Sequence, residues 1–206
     1  MPKVDLRKQF APLYNASAKE AAIVEVPRLQ FLMADGQGDP NSPPFQQAVE
    51  ALYGLSYTLK FGLKKRGGPD YTVMALEGLW WAEGVDPAAA FAQGRRDQWK
   101  WTLLILQPDF IGPADVETAR QELRVKRNPA AIDRVRLESF EEGRCVQIMH
   151  IGPYSAVKAT IDRLHAFAAE KGLGLRGKHH EIYLGDPRRS APEKLKTILR
   201  HPVAQP

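Results

Sequence analysis

The strongest constraint on the fold of this chain is the order in which its apolar patterns occur. Apolar residues at three- and four-residue spacing predict helices over 43–66 and 156–171. Alternating or continuous apolar runs predict one strand before each helix and two strands after it. The order strand, helix, strand, strand therefore occurs twice. We predict an α+β fold, a pseudo-twofold duplication of this module that forms an antiparallel sheet, with helices on one face and a ligand groove on the other.

The predicted strands of the first copy are 29–35, 78–83 and 98–107, and those of the second copy are 144–151, 178–184 and 194–201. A further strand is predicted at 71–74, a helix at 114–126, and a hairpin between 134–140 and 144–151. We expect a single domain, 1–206, in which the pseudo-repeats span about 26–110 and 134–203 after an N-terminal extension, 1–25.

Composition narrows the class of protein. The chain has 206 residues, of which 44% are hydrophobic and 26% charged, as in ordinary globular domains. No apolar run approaches the roughly 18 residues of a membrane-spanning helix, and the first residues lack the apolar run of a secretory signal. The single cysteine, Cys145, excludes a disulfide framework and a thiolate-rich zinc site. We expect a cytoplasmic protein without a membrane partner.

The net charge of +5 is concentrated near the C-terminus, where residues 176–206 hold seven Lys or Arg against three acids. Such a surface fits either a phosphate or nucleic-acid partner or a solvated strand and turn. Aromatic residues do not alternate with these charges as single-strand binders require. The pattern therefore favours the solvated surface and argues against nucleic acid.

Two apparent motifs are explained by structure. The glycines of Gly172–Lys178 resemble a phosphate loop, but they follow a helix and precede a strand, the reverse of the order that binds phosphate, so Gly172 is predicted to cap a helix. His179 and His180 are adjacent on a strand and point to opposite faces, so they cannot chelate one ion together. We expect no metal site and no cofactor.

Four tryptophans lie between Trp80 and Trp101, near the acids Glu77, Glu83 and Asp97. Core packing is one explanation. The alternative is an aromatic-walled cavity with acids at its rim.

The segment 178–184 alternates, and Glu181 shares one face with His179 and Tyr183. If the apolar face, with Ile182, packs on the helices, Glu181 faces the groove. There it could act as an acid or base whose pKa is raised by desolvation, as a counter-charge for a cationic ligand, or as half of a cross-strand ion pair.

Five segments carry a family resemblance: FLMADGQGDPNSPPFQQAVEALYGLSYTLKF, LEGLWW, WKWTLLILQPDF, VQIMHIGPYS and GKHHEIYLGDPRR. They resemble the GyrI-like small-molecule-binding family, in its stand-alone bacterial branch, from about residue 26 to 203. The resemblance implies two strand-helix-strand-strand modules with an aromatic groove at their junction, and ligands that are bulky, planar and hydrophobic or cationic. Some members of the branch are cyclopropanoid cyclopropyl hydrolases, which open the strained ring of DNA-alkylating antibiotics by adding water.

The resemblance places Glu181, in the motif Glu181-Ile182-Tyr183, as the acidic residue of the binding site. Glu181 would activate water, and Tyr183 or His179 would donate a hydrogen bond to the developing phenolate. The other candidate ligand-binding residues are Trp81, Trp101, Tyr57 and Met149. A non-catalytic protein that sequesters drugs or modulates gyrase is the alternative, and the sequence leaves the choice between enzyme and binding protein open. No helix-turn-helix module accompanies these segments, so a regulator's role is not implied.

Overall fold

The computed structural model describes residues 3–85 and 99–205. These residues form two compact units. Unit 1 contains residues 3–11, 29–76 and 99–140, and unit 2 contains residues 12–28, 77–85 and 141–205. Asp97, expected at a cavity rim, and Gln98, expected at the start of a strand, lie outside the described residues.

Within the described residues, the helices are α1 (Leu6–Gln9), α2 (Ala11–Tyr14), α3 (Pro43–Lys65), α4 (Pro113–Lys126) and α5 (Val157–Glu170). The strands are β1 (Ala22–Val26), β2 (Leu29–Gln37), β3 (Glu77–Trp81), β4 (Lys100–Leu106), β5 (Arg136–Phe140), β6 (Gly143–Ile151), β7 (Gly174–Leu175), β8 (His179–Tyr183) and β9 (Lys196–Ala204). None of the helices found in residues 3–85 and 99–205 has the length and apolar character needed to cross a membrane.

Unit 1 is built on β2, which pairs antiparallel with β4 and with β5. Helix α3 begins after Ser42 with proline in its first turn, where a missing N–H is harmless, and ends before Gly67, whose φ of +77° suits glycine. It packs on β2 and β4 and on α4, and Gly54 of α3 leaves room for Leu123. These contacts bury the apolar side of α3.

Unit 2 is built on β6 and β9, which pair antiparallel. β1 extends this sheet beside β6, β8 lies beside β9, and β3 lies beside β8. Helix α5 packs on β6 and β9, where Ile161 and Leu164 bury themselves against Ile148 and Leu199. Gly172 ends this helix with a φ of +65°, as predicted, and the short strand β7 follows.

The predicted α+β class with antiparallel strands is confirmed. The helix at 114–126 and the C-terminal strand are also confirmed, within two or three residues at their ends. That the two copies of the module superpose, within one domain, stays a prediction.

Two local predictions are wrong. Segment 136–140 pairs with β2 instead of forming a hairpin with β6, because Glu142 turns inward after it and is buried. Segment 71–74 forms an isolated bridge, Tyr71 with Val4, rather than a strand.

Candidate functional site

Strand β8 presents two different faces. Its pairing with β9 sets Glu181 beside Leu199, and the pairing of β9 with β6 sets Leu199 beside Ile148. Because paired residues project to the same side, Glu181 lies on the face that carries α5, which we call the α5 face. His180 and Ile182 project to the opposite face. The predicted alternation is therefore correct, but the helix covers the side opposite to the one expected.

The reason lies in the neighbouring strands. The apolar surface on which α5 packs comes mainly from Ile148 of β6 and Leu199 of β9. Strand β8 is the next strand out, so its residues on the α5 face need not be apolar. A glutamate can stand there, at the edge of the surface that the helix covers.

Around Glu181, the α5 face of unit 2 carries an acid–aromatic cluster formed by Trp80, Tyr154, His179, Glu181 and Tyr183. Glu181 Oε1 lies 3.4 Å from Nε2 of His179, and 12% of the glutamate side chain is exposed. The indole Nε1 of Trp80 donates a hydrogen bond of 3.0 Å to the Tyr183 hydroxyl. The ring of Tyr154 meets that of Tyr183 edge to face, with centroids 5.9 Å apart.

The ionisation of Tyr183 is strongly suppressed. Burial raises the pKa of Tyr183 well above its ordinary value, and the negative charge and hydrogen bond of Glu181 raise it further. The phenol therefore stays protonated near neutral pH. Since its oxygen accepts from Trp80, its proton is directed to the glutamate.

Gly78 makes room for this arrangement. It pairs with Glu181 across the β3–β8 ladder. A Cβ at this position would lie 2.8 Å from Nε1 of Trp80 and 3.2 Å from the Tyr183 hydroxyl. A side chain there would displace one partner of the hydrogen bond. The alternation in LEGLWW places Gly78 and Trp80 on the same face, but nothing within this segment indicates that they lie beside Tyr183.

The predicted ligand-binding residues Trp81 and Met149 lie on the opposite face of the unit 2 sheet. Trp81 follows Trp80 and alternates away from it, and the ammonium of Lys178 sits 3.5 Å from its ring centroid. Met149 pairs with Ile198 and is buried. Neither residue is brought together with Glu181, whereas His179 and Tyr183 are.

The two predicted aromatic residues of unit 1 differ in exposure. Trp101 is fully buried, its ring meets that of Phe45 at 5.2 Å, and a Cβ on Gly36 would overlap it. This is the core-packing arrangement that the sequence left open. Tyr57 is 46% exposed and stacks between neighbouring aromatic rings of α3. Its side chain is available to a ligand.

Glu77, expected at a cavity rim, is instead buried in an ionic network on the opposite face of unit 2. The Tyr14 hydroxyl donates to Glu77 Oε1 at 2.7 Å, and Oε2 lies 3.0 Å from Nε2 of His180. Nδ1 of His180 is 2.8 Å from Glu142 Oε2, and Arg200 donates to the same oxygen at 3.2 Å. Two acidic side chains thus face two basic ones, which is how buried charge is tolerated.

The pKa values in this network follow from that pairing. Burial acts against both charged forms, but His180 and Arg200 outweigh it and lower the pKa of Glu142 to about 2. The carboxylates of Glu142 and Glu77 likewise overcome burial and raise the pKa of His180 to about 9. Arg200 also donates to the carbonyl of Leu13 at 2.7 Å, which ties the segment before β1 to the sheet.

Comparison with known proteins identifies the fold family. Residues 19–204 match the GyrI-like small molecule binding domain. The chain belongs to the GyrI-like family. Its resemblance to that family is thereby confirmed over nearly the whole sequence, and a GyrI-like domain is by description a domain that binds small molecules.

Solved structures resemble the chain over nearly its whole length. An uncharacterized conserved protein of Listeria innocua is 41% identical, with a TM-score of 0.90, and the match covers 98% of this chain and 100% of that one. Two structures described as hydrolases of Listeria innocua are 39% and 41% identical, with TM-scores of 0.85 and 0.87 and the same coverage. No curated protein matches the chain.

Proposed function

We propose that this GyrI-like protein binds bulky planar hydrophobic or cationic molecules and hydrolyses an electrophilic xenobiotic of the cyclopropyl-indole type. The observation that carries the proposal is the acid–aromatic cluster, in which a partly exposed carboxylate, Glu181, lies beside a protonated phenol, Tyr183. The name hydrolase given to two relatives at about 40% identity supports an enzyme.

In the proposed reaction, Glu181 takes a proton from water as the water oxygen bonds to the methylene carbon of the cyclopropane. The ring carbon–carbon bond breaks, and its electron pair passes into the conjugated dienone, which becomes a phenolate. Protonation of the phenolate completes the net addition of one water. A positioned general base contributes roughly 10²–10⁴ in rate to such a step.

Tyr183 has two compatible roles in this scheme. While Glu181 is ionised, the phenol proton is held by the carboxylate and orients it. Once Glu181 has taken the proton of water, that hydrogen bond weakens and the phenol can donate to the phenolate instead. His179 is buried at the side of Glu181, so we assign it to positioning rather than to ligand contact.

A binding protein without chemistry is the second candidate function. The exposed aromatic residues Tyr57 and Tyr154 favour it, because flat ligands stack on such rings whether or not a base is present. In that case Glu181 would be a counter-charge for cationic ligands.

Mass spectrometry after incubation with a cyclopropyl-indole compound separates the two candidates. An enzyme yields the compound with the mass of one added water, at a rate above that of the buffer. Glu181→Gln should lower this rate by about 10²–10⁴ and still bind, and Glu193→Gln, an exposed acid of unit 2, should change neither. Unchanged compound bound to the wild-type protein would leave sequestration as the function, and full turnover in Glu181→Gln would remove the base from the mechanism.

A further inference from the structure

A cluster of three histidines lies on the α5 face of unit 2. His165 comes from α5, His179 from β8 and His201 from β9. One ring nitrogen of each lies within 4.8 Å of those of the other two. The ring of His201 is 5.2 Å from that of His165 and 5.8 Å from that of His179, centroid to centroid. Helix α5 and strands β8 and β9 thus each bring one imidazole nitrogen to the same place.

The two ring nitrogens of His201 are possible metal ligands that take part in no hydrogen bond among the described residues. His201 is fully buried. A buried polar group without a partner is costly. A neutral imidazole nitrogen that makes no hydrogen bond has the lone pair that metal coordination requires.

An acidic partner for the cluster is present. Glu181 Oε1 lies 3.4 Å from Nε2 of His179. Histidine ligands commonly hydrogen-bond a carboxylate through one ring nitrogen, which fixes the tautomer and leaves the other nitrogen for the metal. His165 is partly exposed, so the cluster has a side from which an ion can enter.

We propose that His165, His179 and His201 bind a divalent transition-metal ion of the zinc type. Three imidazole nitrogens are a ligand set that zinc takes, with a fourth position left for water or another ligand. Zinc–nitrogen bonds of about 2.0–2.1 Å in a tetrahedron place the nitrogens about 3.3–3.4 Å apart. Because the present nitrogens lie within 4.8 Å of one another, they need to approach by at most about 1.5 Å, which side-chain rotation can supply. The proposal does not depend on the hydrolytic function.

The sequence predicts no metal site because it has no HExxH spacing and because the adjacent His179 and His180 point to opposite faces of a strand. The spacings that matter here are 14 residues, from 165 to 179, and 22 residues, from 179 to 201. They match no local zinc motif, and only the pairing of β8 with β9 and the packing of α5 bring the three rings together.

Cobalt titration of the metal-free full chain tests the site. Co²⁺ held by nitrogen ligands in a tetrahedron absorbs in the visible range, so the wild-type protein should develop such a band that saturates at one equivalent. Zn²⁺ should displace the cobalt and raise the Tm. His165→Phe keeps an aromatic ring against His201 but removes a ligand, so it should weaken cobalt binding by more than the roughly 10–100-fold seen when an outer-shell partner is lost.

His150→Gln is the matched control. His150 is a buried histidine of unit 2 that contacts Thr160 and the carbonyl of Pro153, outside the cluster, and its replacement should leave the band unchanged. If His165→Phe fails to fold, His165→Gln at the same partly exposed position replaces it. Absence of a saturable band and of a zinc effect on Tm in the wild-type protein, or wild-type binding in the folded His165 variant, would overturn the proposal.

Discussion

The indole of Trp80 donates its N–H to the hydroxyl oxygen of Tyr183, with 3.0 Å between the two atoms. This contact joins β3 to β8 and decides where the phenol proton goes. With the oxygen occupied as an acceptor, the proton is free to point at Glu181, whose charge helps to raise the pKa of Tyr183. One hydrogen bond between neighbouring strands thus sets the orientation of the candidate base.

Tyr183→Phe should lower the turnover number without abolishing ligand binding. The variant keeps the ring against Tyr154 but leaves Glu181 unoriented and removes the hydroxyl oxygen that accepts the 3.0 Å hydrogen bond from Trp80. Loss of a hydrogen bond typically costs about 0.5–1.5 kcal/mol, so the Tm should also fall. Trp80→Phe, which removes the donor and keeps the phenol, should reduce turnover less. Steady-state kinetics and thermal melts check both, and unchanged turnover in Tyr183→Phe would rule out an orienting role.

Gly78→Ala should disturb the same contact by crowding. The added methyl carbon would lie 2.8 Å from Nε1 of Trp80, closer than atoms of this kind approach. We expect lower stability and lower turnover together. Gly62→Ala in α3 is the control, because its methyl group would find only ordinary contacts and alanine favours a helix by up to about 1 kcal/mol. Equal melting temperatures for the two variants would contradict the steric argument.

Trp101→Leu should destabilise the fold much more than Tyr57→Leu. Emptying a buried aromatic site typically costs several kcal/mol, about 3–5 for truncation to alanine, whereas exposed positions usually change stability by about 0.5 kcal/mol or less. Trp101 has no exposed surface, and Tyr57 is 46% exposed. Urea unfolding measures the difference. Weaker ligand binding by a fully stable Trp101→Leu protein would instead restore the cavity interpretation.

The buried network predicts how stability depends on pH. The pKa of Glu142 is lowered from 4.5 to about 2, so its contribution is present above pH 4.5 and is lost as the pH falls towards 2. The pKa of His180 is raised from 6.5 to about 9, so its contribution is present below pH 6.5 and is lost as the pH rises through 9. The contribution of this network to the free energy of unfolding should therefore be greatest between about pH 4.5 and 6.5.

Glu142→Gln isolates the acid side of this profile. Removing one partner of a buried ion pair costs about 3–5 kcal/mol near neutral pH. The variant should also lose stability less steeply than the wild-type protein between pH 4.5 and 2. If the variant loses stability between pH 4.5 and 2 as steeply as the wild-type protein, other carboxyl groups govern acid unfolding.

The periodic elements of this chain could be predicted from its sequence because their periodicity is local. The spacing of Phe45, Leu52 and Leu59 along α3 and the alternation along β8 follow from geometry that each segment contains in itself. Glu181 could be singled out for the same reason. Two predictions that depend on neighbouring elements were wrong. They concern the face of β8 that α5 covers and the strand that pairs with residues 136–140.

The roles of Trp80 and Trp101 could not be predicted from the sequence, because they depend on residues of neighbouring strands. Trp80 looks no different from Trp81 in the sequence, and only the register with β8 places it beside Tyr183. Trp101 is buried because Gly36 on the paired strand leaves space for its ring. Neither fact has a signature within a few residues.

Residues 12–14 contact the unit 2 sheet although they precede the segment that matches the family. The GyrI-like match begins at residue 19. Yet Arg200 and Glu77 are satisfied in the interior by the Leu13 carbonyl and the Tyr14 hydroxyl, which precede that boundary. A fragment trimmed to the family limits would keep every strand described above, but its buried guanidinium and its buried carboxyl would each have lost one hydrogen-bond partner. The segment that the family match covers therefore lacks two hydrogen-bond partners that the folded chain uses in its interior.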